Sequence, residues 1–120
     1  MSQSGVLKVL IAEDRAALRK LIRSIVGGLV GEIRECPAED LAATYLGWRP
    51  DFVLLDADMT AVDSIAAIRW IQAVDCSARV ILLSSYDSPE MQERAQLAGA
   101  FGYVRKENLL ELSRLVTMPR

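Results

Sequence analysis

The stretch Phe52-Val53-Leu54-Leu55-Asp56 decides the fold of this 120-residue chain. Four consecutive apolar residues followed by an aspartate are typical of a strand that is buried on both faces. A carboxylate at the end of such a strand is costly to desolvate unless another group binds it. Asp56 is therefore the first candidate for a functional residue.

Other apolar runs along the chain also end at polar residues. They are Val6–Ala12 before Glu13-Asp14, Val80–Leu83 before Ser84-Ser85, and Phe101–Val104 before Arg105-Lys106. A more polar segment, Glu32–Cys36, fits an edge strand. Because the carboxyl ends of parallel strands share one edge of a sheet, where ligands bind, we expect these acids, hydroxyls and the lysine to meet there.

Helical patterns separate the strands. They begin after Asp14, span Ala38–Gly47, begin at Asp63 or Ser64, run from Ser88 to Gly99, and span about Asn108–Val116. Asp14 and Ser88 have the chemistry of helix N-caps, and Gly27-Gly28 and Gly99 the chemistry of helix ends. The spacing predicts inward-facing side chains at Leu18, Leu21, Ile22, Ile25, Val26 and Leu29 in the first helix, and at Leu41, Ala42, Tyr45 and Leu46 in the second.

This alternation of strands and helices predicts an α/β fold with a five-stranded parallel sheet. Helices would cover both faces, as in a flavodoxin-like three-layer sandwich with strand order 2-1-3-4-5. Residues 1–120 form a single predicted domain, with its core at about residues 6–116.

The composition argues against several classes of function. The net charge is −2 and basic residues do not cluster, so we expect no direct nucleic acid contact. No apolar run approaches the roughly 18 residues of a membrane span. Cys36 and Cys76 fit reduced thiols of a cytoplasmic protein. The chain contains no histidine, so a phosphohistidine donor would have to belong to a partner.

Four motifs in order resemble the receiver domain of bacterial two-component response regulators. They are Ile11-Ala12-Glu13-Asp14, Leu54-Leu55-Asp56, Leu83-Ser84-Ser85 and Tyr103-Val104-Arg105-Lys106, and the similarity runs from about Val6 to Leu115. The stretches Ser84-Ser85-Tyr86-Asp87 and Gly99-Ala100-Phe101-Gly102-Tyr103 are most similar to receivers of LuxR-type transcriptional regulators.

The resemblance implies a role for each motif. Asp56 would accept a phosphoryl group from a sensor histidine kinase, a phosphotransfer protein or a small phosphodonor. Mg²⁺, or Mn²⁺ in its place, would be held by the side chains of Glu13, Asp14 and Asp56 and the backbone carbonyl of Asp58. Lys106 and Ser84 would contact the phosphoryl group.

It also implies how a signal would leave the domain. Ser84 and Tyr103 would act as the switch, and the face of the fourth helix, fifth strand and fifth helix would relay the state to an output domain or partner protein. Homodimerisation through that face is a further expectation. On this reading the chain is a phosphoacceptor switch, not a turnover enzyme.

The chain departs from the usual receiver pattern at several positions. Thr60, Ala61 and Ser64 stand where receivers have proline or glycine, and Glu13 replaces an aspartate. Glu107 replaces the proline after the lysine, so that peptide should be trans.

Two other functions remain open. Asp56-Ala57-Asp58-Met59-Thr60 matches the D-x-D-x-T signature of haloacid-dehalogenase-type phosphohydrolases, with Asp58 as general acid/base. The acidic pair Glu13-Asp14 lies upstream of it, however, where a receiver has its pair. A pseudo-receiver that is never phosphorylated is the other alternative. Taken singly, Asp14 reads as a helix cap and Asp58 as a solvent-facing loop residue.

Overall fold

A computed structural model of the chain describes residues 7–59 and 62–119. The strands are β1 Lys8–Ala12, β2 Glu32–Cys36, β3 Phe52–Asp56, β4 Arg79–Ser84 and β5 Gly102–Arg105. The helices are α1 Ala16–Val26, α2 Leu41–Trp48, α3 Ser64–Val74, α4 Pro89–Ala98 and α5 Glu111–Val116. Short 3₁₀ turns, Ala38–Asp40 and Lys106–Asn108, precede α2 and α5.

All strand pairs are parallel, and the sheet order is β2-β1-β3-β4-β5. This confirms the predicted fold class and strand order. Each predicted strand after the first matches within a residue or two. Val6, the predicted start of the first strand, lies outside the described residues, and the described strand begins at Lys8.

Alternate strand residues pack against helices on opposite faces of the sheet. Leu10, Val53, Leu55, Val80 and Leu82 meet α2, α3 and α4. Val9, Ile11, Leu54, Ile81 and Leu83 meet α1 and α5. Both layers are fully buried along β3 and β4, and this explains why their sequences are continuously apolar.

Two predicted caps are confirmed. The Asp63 side chain accepts hydrogen bonds from the backbone N–H groups of Ile65 and Ala66, and Ser88 accepts one from Met91. Gly99 closes α4 with a left-handed backbone, φ 108°. A side chain there would be strained and would strike Gln72, so glycine is required.

The predicted cap at Asp14 is wrong. Arg15 is the N-cap of α1 and has no side-chain cap bond. Glu13 instead takes the free N–H of this turn, because its Oε2 accepts from Arg15 N at 3.0 Å. This bond fixes the turn between β1 and α1 but does not cap the helix, because Arg15 is itself the N-cap residue.

Four predicted core positions are also wrong. Leu21 and Leu46 are 48% exposed, Leu29 is 42% exposed, and Ala42 is exposed as well. A helix on a sheet buries only a narrow stripe, which in α1 is centred on Ile22 and Val26. Leu29 lies beyond the end of α1 at Val26, so the helical spacing no longer applies to it.

Candidate functional site

Two carboxylates are buried at the carboxyl edge of the sheet. Asp56 ends β3 and is 4% exposed, and Glu13, directly after β1, is 0% exposed. The backbone of Ala57 continues the strand pairing by donating to Leu83 O at 2.7 Å. The N–H of Asp58 then donates to Asp56 Oδ1 at 2.8 Å. The strand and this turn fix the direction of the Asp56 carboxylate.

Lys106 brings these groups together. Its Nζ lies 2.7 Å from Asp56 Oδ1, 3.3 Å from Glu13 Oε1 and 3.2 Å from Asp58 Oδ2. Only 8% of the Lys106 side chain is exposed. One ammonium thus faces three carboxylates, and the cluster keeps an excess of negative charge when all are ionised.

The surroundings shift the pKa values of Lys106 and Glu13. Burial lowers the pKa of Lys106, but the hydrogen bond and charge of Asp56, with Glu13 and Asp58, outweigh it and leave that pKa raised. Burial, with the charge of Asp56, raises the pKa of Glu13 despite the opposing Arg15 N–H and Lys106. Lys106 is therefore a stable cation at neutral pH, and an additional cation beside Glu13 would favour the ionised form that burial disfavours.

The carboxylate of Asp58 is part of the site, and its prediction as a solvent-facing side chain is wrong. Besides Lys106, Asp58 Oδ2 accepts from Ser85 N at 3.0 Å, which links the loop after β3 to the loop after β4. Burial alone would raise the pKa of Asp58, but the bonds from Ser85 and Lys106 lower it. The D-x-D spacing was the available signal, because Asp56 is the last residue of β3 and Asp58 lies in the turn that follows it.

Asp14 lies apart from this cluster. Its carboxylate is exposed, and its carbonyl accepts a hydrogen bond from Arg19 at 2.9 Å. Among residues 7–59 and 62–119, no group of three or more acidic, cysteine or histidine side chains is arranged to hold a metal ion. The structure thus brings Glu13 and Asp56 together but leaves the third expected carboxylate ligand outside.

The donor chemistry nevertheless fits a hard cation such as Mg²⁺. Glu13 Oε1 is buried and makes no hydrogen bond to a described residue, since Lys106 Nζ at 3.3 Å is an ion-pair contact outside hydrogen-bond geometry. Mg²⁺ binds through one or two carboxylates and keeps several waters, so it does not need a full set of protein ligands. Glu13 and Asp56 can supply those oxygens.

Ser84 and Tyr103 both form hydrogen bonds with the backbone of Tyr86. Ser84 is buried, and its Oγ accepts from Tyr86 N at 3.0 Å. The hydroxyl of Tyr103 donates to Tyr86 O at 3.0 Å. A cavity of about 530 Å³ lies beside them and is also lined by Asp58 and Met91. The backbone of Tyr86 therefore connects the two predicted switch residues.

The departures from the receiver pattern have local outcomes. No peptide bond between described residues is cis, so the bond from Lys106 to Glu107 is trans as predicted. Ser64 is buried as the first residue of α3. Thr60 and Ala61 lie outside the described residues.

With this geometry, the chain matches the response regulator receiver domain family over residues 9–118. It belongs to that family. Its relatives include the chemotaxis protein CheY of Halobacterium salinarum, 32% identical over 82% of this chain and 83% of that protein. The regulatory protein AtoC of Escherichia coli is 30% identical over 94% of this chain but only 25% of its own length.

Solved structures agree on the fold. A DNA-binding response regulator of the LuxR family from Staphylococcus aureus superposes with a TM-score of 0.81. The match covers 92% of this chain and 96% of that one, at 22% identity. The receiver assignment favours a signalling role over the phosphohydrolase alternative. Among the described residues, no helix is long and apolar enough to cross a membrane.

Proposed function

We propose that this domain is a Mg²⁺-dependent phosphoacceptor switch with Asp56 as the acceptor. The observation that carries the proposal is the Asp56 carboxylate, held at the end of a buried strand with Oδ1 2.7 Å from Lys106 Nζ. Burying the Asp56 carboxylate beside a second acid, Glu13, costs desolvation energy. A pseudo-receiver has no use for this arrangement, and an apolar residue at position 56 would avoid the cost.

In the reaction, an Asp56 carboxylate oxygen attacks the phosphorus of the donor. A phosphorus–oxygen bond to Asp56 forms as the bond from phosphorus to the leaving group breaks, and the leaving group keeps that electron pair. The donor is a sensor histidine kinase, a phosphotransfer protein or a small acyl phosphate, since this chain has no histidine. Lys106 offsets charge on the transferring group.

Mg²⁺ supplies charge neutralisation for the phosphoryl oxygens when it is bound. The ligands we assign to it are the carboxylates of Glu13, Asp14 and Asp56 and the backbone carbonyl of Asp58; Mn²⁺ can take the same oxygen donors. This assignment requires the exposed Asp14 side chain to turn toward Asp56. Such a rotation is open to a surface carboxylate.

The switch follows from the shared contact at Tyr86. New phosphoryl oxygens at Asp56 attract the Ser84 hydroxyl, which then gives up the N–H of Tyr86. The loop after β4 moves, and Tyr103 loses its partner on the same residue. The face formed by α4, β5 and α5 carries this change to an output domain or a partner protein, or to a second copy of the chain.

The wider role in this proposal is regulation of transcription in the cytoplasm. AtoC is named as a regulatory protein, and the Staphylococcus aureus neighbour as a DNA-binding response regulator. In such an arrangement this domain itself touches no nucleic acid. Both cysteines are free thiols, which is in keeping with a reducing compartment.

A turnover assay tests switch against hydrolase. With acetyl phosphate and Mg²⁺, the switch predicts at most one acyl phosphate per chain and slow loss of the phosphate. With a generic phosphomonoester and Mg²⁺, it predicts no sustained release of phosphate. Steady multiple turnover of the phosphomonoester, lost in Asp58→Asn, would establish the phosphohydrolase instead.

A further inference from the structure

Arg19 on α1 donates hydrogen bonds to the backbone of the Glu13-Asp14 turn, which we call the acidic turn. One guanidinium nitrogen, Nη1, donates to the carbonyl of Glu13 at 2.8 Å and to the carbonyl of Asp14 at 2.9 Å. Its Nε pairs with Glu35 Oε1 of β2 at 3.1 Å. The Arg19 side chain is 28% exposed. It therefore joins three elements: the turn after β1, helix α1 and strand β2.

These two carbonyls belong to Glu13 and Asp14, the residues whose carboxylates we assign as ligands of the cation. The Glu13 side chain is held at one end by Arg15 N at 3.0 Å and faces Lys106 at the other. Rotation about ψ of Glu13 would turn its carbonyl and swing the Asp14 side chain, and rotation about ψ of Asp14 would turn the second carbonyl and move the Arg15 N–H that holds Glu13 Oε2. A fixed guanidinium on both carbonyls opposes both rotations.

We propose that Arg19 is a positioning residue that holds the Glu13-Asp14 turn in the conformation that binds a divalent cation. The inference rests on the proposed function in one respect, the assignment of Glu13 and Asp14 as ligands of Mg²⁺. Arg19 does not touch the cation. It acts by fixing the backbone from which the ligands project, as outer-shell groups do in metal sites.

A simpler explanation is that Arg19 merely ties α1 to β2 through Glu35. Arg23, one turn further along α1, separates the two explanations. It also pairs with Glu35, and its side chain donates to the carbonyl of Ile33 at 3.4 Å. The two arginines share one acid, but the contacts to the acidic turn belong to Arg19.

The test compares Arg19→Ala with Arg23→Ala in the full chain. Mg²⁺ affinity is measured by calorimetric titration, and stability by urea unfolding without Mg²⁺. Both variants lose an arginine from Glu35, and Arg19→Ala also loses its two hydrogen bonds to carbonyls, so we expect the unfolding midpoint to fall in both and further in Arg19→Ala. Mg²⁺ affinity should fall about tenfold in Arg19→Ala, and by less than about twofold in Arg23→Ala.

Two more variants complete the design. Arg19→Lys keeps the charge, but one ammonium cannot reproduce the planar fork, so we expect an intermediate affinity. It also provides a folded alternative if the alanine variant is unstable. Asp14→Asn is the positive control, since loss of a direct ligand should weaken Mg²⁺ binding at least as much as Arg19→Ala.

Equal Mg²⁺ affinities in Arg19→Ala and Arg23→Ala would overturn the inference, as would a parent chain that binds no Mg²⁺. If the parent binds Mg²⁺ but forms no acyl phosphate, the proposed function fails and the Mg²⁺ titrations still decide the role of Arg19. If the parent is phosphorylated and Arg19→Ala binds Mg²⁺ normally, only the role of Arg19 is wrong.

Discussion

Lys106 Nζ lies 2.7 Å from Asp56 Oδ1, so the candidate phosphoacceptor is ion-paired with a lysine that follows the last strand. The same ammonium lies between Glu13 and Asp58. Lys106 thus compensates for the burial of several acids at once. The loss in the free energy of unfolding when Lys106 is removed therefore measures how much the buried acids depend on this one cation.

Lys106→Ala should destabilise the fold at neutral pH. Removing one partner of a buried ion pair leaves uncompensated charge, and we expect a loss of about 3 kcal/mol in the free energy of unfolding. Mg²⁺ should restore part of that loss, because a cation can stand in for the ammonium. Urea unfolding at pH 7, with and without Mg²⁺, measures both effects.

Lys20→Ala is the matched control, since Lys20 is exposed on α1 and should change stability by less than about 0.5 kcal/mol. Equal stabilities of Lys106→Ala and Lys20→Ala would show that the carboxylates do not depend on Lys106.

Asp58→Asn should lower stability in a pH-dependent way. The pKa of Asp58 is lowered in the folded state from the ordinary 3.8, against the effect of burial, by Ser85 and Lys106. Its contribution is therefore present above pH 3.8 and is lost as the pH falls through the lower folded-state pKa. We expect a deficit of about 1 kcal/mol at pH 7 that shrinks as the pH falls below 3.8.

Urea unfolding of parent and variant across this range is the measurement, with Glu93→Gln on the exposed face of α4 as the control. A deficit that does not shrink as the pH falls below 3.8 would mean that the Asp58 charge contributes nothing.

Ser84→Ala should release the backbone of Tyr86. The Ser84 hydroxyl accepts from Tyr86 N, and a net hydrogen-bond contribution of about 1 kcal/mol corresponds to roughly fivefold faster amide exchange. Hydrogen exchange followed by NMR reads this one amide. Tyr86→Phe should leave the rate unchanged, because only the backbone of Tyr86 takes part. An unaltered rate in Ser84→Ala would refute the link between Ser84 and the loop.

The two cysteines should differ sharply in reactivity. Burial raises the pKa of Cys36; the Thr44 hydrogen bond opposes this and the charge of Asp40 adds to it. Cys76 is exposed. Because the thiolate is the reactive form, iodoacetamide at pH 8 should modify Cys76 and spare Cys36 in the folded chain.

Mass spectrometry of the Cys76→Ser variant checks this, with the urea-unfolded chain as the control in which Cys36 reacts. Rapid labelling of Cys36 in folded Cys76→Ser would contradict the burial of its thiol.

The strand-end residues could be predicted because their positions follow from topology. Alternating strands and helices require parallel pairing, which places the ends of β1, β3, β4 and β5 at one edge. Topology alone therefore predicts that Asp56, Glu13 and Lys106 meet.

The finer geometry depended on competition between neighbours. Asp14 has good cap chemistry, but α1 begins one residue later, with Arg15 as its N-cap, and the Arg15 N–H donates to Glu13. Asp58 turns inward because Lys106 and Ser85, both distant in sequence, offer it donors. The contacts of Arg19 with two carbonyls leave no pattern in the side-chain sequence at all.

Intact-mass measurement after incubation with acetyl phosphate and Mg²⁺ tests the central claim most directly. The parent chain should gain the mass of one phosphoryl group, the gain should vanish when Mg²⁺ is chelated, and Asp56→Asn should gain nothing. No adduct on the parent, or an equal adduct on Asp56→Asn, would contradict the assignment of Asp56 as the phosphoacceptor.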